Sequence, residues 1–136
     1  MVLPRLSSHL EEHRIKERIM ASGIIKYLDN VTDLSITATA GSGVTIREIK
    51  FQKMGRIVFG YIYFDITSAL SINAPIATLN GNLPNPYDKY ANAPLCNLSG
   101  PAGMAYIERG QSNLIKAWGA TPVGTYYYAS FIYVAR

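Results

Sequence analysis

Cysteine occurs once, at Cys96, so the chain holds no internal disulfide framework. Charge is scarce. Asp, Glu, Lys and Arg make up 16% of the residues, against about 25% in ordinary globular domains. Both histidines, His9 and His13, lie near the start, so the stretch from residue 34 onward has no imidazole to serve as a base. No apolar run is long enough to cross a bilayer as a helix; the longest, Ile57 to Phe64, stops at Asp65. A Pro and an Arg follow Met1 closely with no apolar segment behind them, so no secretory signal is expected. A phosphate-cradling glycine loop is also missing, because the glycine-rich spots fall between strand-like runs rather than ahead of a helix.

What is present is a core-forming chain of one domain's size, with 136 residues of which 49% are hydrophobic. The formal charge of +4 is mild. Charged side chains crowd into residues 1 to 56, which hold 15 of the 22. The remaining stretch carries 9 of the 10 tyrosines and draws its polarity from Asn, Ser, Thr and Tyr. Such a surface suits neutral, hydroxyl-rich or protein partners, and it lacks the basic patches that a nucleic-acid backbone requires.

Two segments differ in period. Within residues 1–33, Ser8 and Glu11 form a capping-box pattern, Gly23 is a plausible stop, and Leu6, Leu10, Ile15 and Ile19 make a ragged apolar stripe. This predicts a short N-terminal α-helix and linker, suited to oligomerisation or attachment; a surface helix fits the pattern equally. From residue 34 to 136 the period becomes two. Leu34, Ile36 and Ala38 alternate with Ser35, Thr37 and Thr39, and Gly41-Ser42-Gly43 marks a turn. The apolar phase slips near Arg47 and Glu48, which predicts a bulge. A hairpin loop is expected at Lys53–Arg56. Strands are expected at 57–66, 72–79, 90–98, 104–108, 113–118 and 125–134. The expectation is an all-β domain, an antiparallel jelly-roll or β-barrel-like sandwich.

Two of these strands are apolar on both rows. Tyr61 and Tyr63 alternate with Ile62 and Phe64 in one; Tyr126 and Tyr128 alternate with Tyr127, Phe131 and Tyr133 in the other. A small two-sheet domain normally wets one row of each strand. Loss of that alternation predicts a second covered face, with another copy of the chain as the cover. Tyr61, Tyr63, Tyr126, Tyr128, Phe131 and Tyr133 are the expected contact residues. Tyrosines that simply stand in water are the alternative.

The run His9-Leu10-Glu11-Glu12-His13 matches a zinc-peptidase pattern. No acidic third ligand is evident, so a solvated helical face is the expected reading and neither metal nor cofactor is predicted; a metal-dependent enzyme is the weakest alternative. Cys96 reads as a small buried apolar residue. Asp65, Asp88 and Glu108 are scattered and read as solvated rather than as a glycosidase pair. Tyr106 and Glu108, two apart, share a face, and Trp118 closes the next strand before a glycine. A flat ring beside a carboxylate suits a sugar, whose C–H groups stack on the ring while its hydroxyls donate to the acid. Core or interface positions for Tyr106 and Trp118 fit the pattern as well.

The texture from Leu34 to Val134 resembles the head domain of receptor-binding proteins of lactococcal and related bacteriophages. The likeness rests on Gly43-Val44-Thr45-Ile46 leading into Lys53-Met54-Gly55-Arg56 and a long apolar strand. It continues through Leu83-Pro84, Ala105 to Glu108, Ala117-Trp118-Gly119 and a tyrosine-rich last strand. The resemblance implies a non-catalytic homotrimer at the tail tip or baseplate of a virion. That trimer would be made in the bacterial cytoplasm and would bind cell-surface polysaccharide. It implies attachment to other tail or baseplate proteins through the N-terminal helix, with no nucleic acid and no membrane insertion. The family's sugar site would fall on Tyr106, Glu108 and Trp118, with Tyr in place of a His, Glu in place of an Asp, and Pro122 and Val123 where an Arg is usual. A purely structural trimeric virion protein without ligand is the alternative.

Overall fold

The computed structural model describes residues 30–136. The expected helix with Ser8, Glu11, His9, His13 and Gly23 lies outside the described residues. All regular structure within them is β. The strands are β1 (Val31–Asp33), β2 (Thr37–Ala40), β3 (Val44–Met54), β4 (Ile57–Ile66), β5 (Pro75–Asn80), β6 (Tyr90–Asn97), β7 (Gly100–Glu108), β8 (Gln111–Ala117) and β9 (Gly124–Val134). They form one antiparallel sheet in the order β1-β3-β4-β9-β6-β7-β8-β5-β2. The Gly41–Gly43 turn carries the chain from β2 at one border to β3 beside the other, so the sheet curls and its inner face encloses the core.

The pleat sorts the residues. Val58, Ile62, Phe64 and Ile66 of β4 point inward and are fully or almost fully buried, as are Tyr127, Ala129 and Phe131 of β9. Each large apolar side chain removed from water in this way contributes about 1.5–3 kcal/mol. Phe51 and Phe131 meet in the interior at 6.1 Å, and Phe64 stacks on Tyr127 at 5.6 Å. Tyr127 and Tyr133 donate their hydroxyls to Pro122 O and Pro84 O at 2.8 and 2.7 Å, which satisfies the polar ends of two buried rings.

The expected bulge is present. The register of β3 on β4 shifts between Ile46 and Glu48 and leaves Arg47 over. The hairpin after β3 is tighter than the four residues expected, with only Gly55 and Arg56 between the strands and Gly55 at φ 60°. The strand expected from residue 72 starts at Pro75 instead. Ile72 is exposed and Asn73 sits at φ 61°, a left-handed backbone that ends any extended run.

Two sequence expectations are corrected. Phe131 and Tyr133, expected at a contact between copies, point into the chain's own core (1% and 9% exposed). They lie in the inward row of β9, so the outward row alone is free to meet a neighbour. Cys96, expected to be buried, is exposed, because it pairs with Tyr128 in the outward row.

A second feature positions the site. The β6–β9 ladder has only Leu95↔Ala129 and Cys96↔Tyr128. The next bridge would place Pro94 opposite Ser130, and proline has no N–H to give. Beyond that point β6 and β9 part.

Candidate functional site

Trp118, Tyr106 and Tyr90 form one aromatic cluster on the outer face. The Trp118 and Tyr106 rings stack with centroids 4.1 Å apart and planes 29° apart. Tyr90 meets Trp118 edge-on at 4.9 Å and Tyr106 at 5.6 Å. The local fold accounts for the grouping. Asn92 opposes Tyr106 and Tyr90 opposes Glu108 in the β6–β7 register, so all four side chains share the outer face. Trp118 is brought alongside by its backbone N–H, which donates to Met104 O at 2.9 Å.

Two asparagines fix the rings. The indole N–H of Trp118 donates to Asn92 Oδ1 at 2.7 Å, and the Tyr106 hydroxyl donates to Asn73 Oδ1 at 3.0 Å. Asn73 is itself anchored by its backbone N–H on Ala117 O at 2.9 Å. Tyr106 is buried at the base of the cluster, whereas Trp118 keeps 36% of its surface in solvent. Burial raises the Tyr106 pKa above the usual tyrosine value, and the negative charge of Glu108 adds to the effect. Glu108 is half-buried on the same face and accepts no hydrogen bond among the described residues. Tyr106 and Trp118 are in ring contact, and Glu108 lies on the same face, two residues along β7 from Tyr106 and opposite Tyr90. Asn73, Asn92 and Tyr90 are the partners that sequence reasoning missed. Tyr90 and Asn92 carried a signal, their i, i+2 spacing on one strand; Asn73 carried none.

Next to the cluster, the parting of β6 and β9 opens a groove of about 530 Å³. Tyr87, Asp88, Tyr90 and Asn92 line one side, Ile132 and Val134 the other, with Arg56 at the rim. Asn92 belongs to both the groove and the cluster.

The outer row of β4 and β9 carries the expected contact tyrosines. Tyr61 stacks on Tyr128 at 5.7 Å, and Tyr63 lies 5.9 Å from Tyr126 and 6.2 Å from Tyr128. Tyr126 and Tyr128 are more than a third exposed, and Ile132 and Val134 continue the row at 74% and 50%. The row ends at a charged knot. Arg47, the bulged residue, donates Nε to both oxygens of Asp65 at 2.9 and 3.0 Å, and its guanidinium lies 4.3 Å over the Tyr126 ring. Asp65 also accepts the Tyr126 N–H at 2.9 Å, which holds Tyr126 at φ 59°. These donors, Arg47 first, keep the Asp65 carboxyl below its ordinary pKa.

Among the described residues no three of His, Cys, Asp and Glu gather where a metal ion would be held. Set against known proteins, the chain matches no family model and no curated sequence.

Proposed function

We propose that this chain is a non-catalytic, homotrimeric receptor-binding domain of the phage-tail type, which recognises host cell-surface saccharide. Trp118 carries the reading. It is a part-exposed indole, backed by Tyr106 and pinned by Asn92, on the outer face that Glu108 shares. An aromatic plate held by a hydrogen bond, on a face that also carries a carboxylate acceptor, is complementary to a sugar ring. The scarcity of charge from residue 57 onward, with 7 charged side chains, favours a neutral ligand over a phosphate-rich one.

The finer architecture in this reading is a jelly-roll-like head, with which one curled antiparallel sheet is compatible. Copies meet through the outward tyrosines Tyr61, Tyr63, Tyr126 and Tyr128, an aromatic surface of the kind enriched at interfaces. Residues 1–33 attach the head to other tail or baseplate proteins at the virion's tail tip. Each head binds weakly, and three on one axis supply avidity.

The test is binding of the purified protein to candidate host cells and to their isolated wall polysaccharide, with Trp118→Ala alongside. Loss of binding in the variant at unchanged thermal stability supports the site. Absence of binding by the parent protein favours the purely structural alternative. Sedimentation settles the trimer separately.

A further inference from the structure

We infer that the groove between β6 and β9 is an extension of the Trp118 plate, and that the pair together take an oligosaccharide of several units rather than a single sugar. The inference rests on the saccharide reading above and deepens it.

Three observations carry it. The groove begins where the cluster ends: Asn92 Oδ1 accepts the Trp118 indole N–H, which turns the amide NH2 away from the indole, where it has no acceptor among the described residues. One residue thus reads both halves of a bound chain. The far end of the groove repeats the near end in kind. Tyr87 stands there, 59% exposed and followed in the chain by Asp88, so that an aromatic ring and a carboxylate line the groove as Trp118 and Glu108 share the cluster's face. The exposed ring is not on a loose loop. Tyr87 N–H donates to Val134 O at 2.8 Å, Arg109 donates to Tyr87 O at 2.9 Å, and Gly110 N–H donates to Asn85 Oδ1 at 2.9 Å. Its backbone is fastened on both sides, and its largely exposed ring has the Arg56 guanidinium 5.8 Å from its centroid, so ring and cation together form a preorganised contact surface.

The occupant's chemistry follows from the lining. Arg56 and Asp88 bring opposite charges, so the groove has no net preference for an ion. The Arg56 guanidinium already donates to Ala135 O at 2.9 and 3.2 Å. Ile132 and Val134 offer an apolar wall to C–H faces, while Asp88 and the Asn92 amide offer an acceptor and donors to hydroxyls. A volume of about 530 Å³ is of ligand-site size. A neutral oligosaccharide matches each of these, with Tyr87 and Asp88 as specificity-determining residues distant from Trp118.

The experiment titrates the full chain by calorimetry with neutral oligosaccharides of glucose, galactose, rhamnose and N-acetylglucosamine, from one to six units. Parent, Tyr87→Ala, Asp88→Asn and Trp118→Ala are compared, with thermal unfolding run on each. The parent is expected to bind longer chains at least tenfold more tightly than single sugars. Tyr87→Ala and Asp88→Asn should remove that gain and leave single-sugar binding within twofold, while Trp118→Ala removes both. Groove variants that bind long chains like the parent, with Trp118→Ala still defective, overturn the groove and leave the saccharide reading standing. A parent that binds none of the sugars overturns both. Asp88→Asn changes one exposed carboxylate, so it keeps the test valid should Tyr87→Ala disturb the loop.

Discussion

Trp118 donates its indole N–H to Asn92 Oδ1 over 2.7 Å, from a strand end to the middle of a strand two places away in the sheet. The bond fixes the plane of the plate. Asn92→Ala removes an exposed hydrogen bond, worth about 0.5–1.5 kcal/mol, so stability should fall by no more than that. Saccharide binding should fall at least tenfold, because the indole loses its orientation. Denaturant unfolding and calorimetry on the same samples separate the two. Equal losses in both would mean that Asn92 only supports the fold.

Pro94→Ala tests the origin of the groove. Alanine supplies the N–H that the β6–β9 ladder lacks opposite Ser130. The new amide should be protected from hydrogen exchange, the groove should narrow, and binding of long saccharides should weaken while single sugars are unaffected. A new amide that exchanges as fast as an unstructured one would show that proline is not what ends the ladder.

Tyr128→Asp tests the outward tyrosines. The side chain is 39% exposed and its inward neighbours Tyr127 and Ala129 do the packing. A fold change is therefore small, within about 1 kcal/mol, whereas a charge in a copy-to-copy contact should convert trimer to monomer in sedimentation. Phe131→Ala gives the contrast: it opens a cavity beside Phe51 and should cost about 3–5 kcal/mol.

Asp65 brings a pH dependence. Arg47 and the Tyr126 N–H lower its pKa in the folded chain relative to the unfolded one. Its contribution is thus complete above the unfolded carboxylate value, near ~3.9, and is lost as pH falls through the lower folded value. Asp65→Asn should reduce Tm at pH 6, and the gap to the parent should close below about pH 4. A gap that stays constant down to pH 2 would show that the carboxyl charge contributes nothing.

The period-two pattern made much of the fold legible. Strand β4 runs over the residues its apolar pattern marks, β6 and β9 lie within a residue of theirs, and the phase slip at Arg47 and Glu48 is a bulge. Alternation says which residues share a face, and so it placed Tyr106 with Glu108. It does not say which face is inside when both rows are apolar. Phe131 and Tyr126 read alike along the chain, and only the closing of the sheet sends one into the core. Cys96 fails for the same reason, since β6 carries small side chains on both rows. Asn73 and the groove depend on which strands become neighbours, and the placing of β9 between β4 and β6 is a matter of long-range pairing that no local spacing encodes.

The outward turn of Cys96 gives the molecule one natural attachment point for a reporter. It is the sole thiol in the chain and lies directly across from Tyr128. A maleimide dye placed there sits beside the aromatic row without altering any residue proposed to touch sugar. Its labelling rate, compared at high and low protein concentration, reads how closely sister molecules approach that side of the sheet.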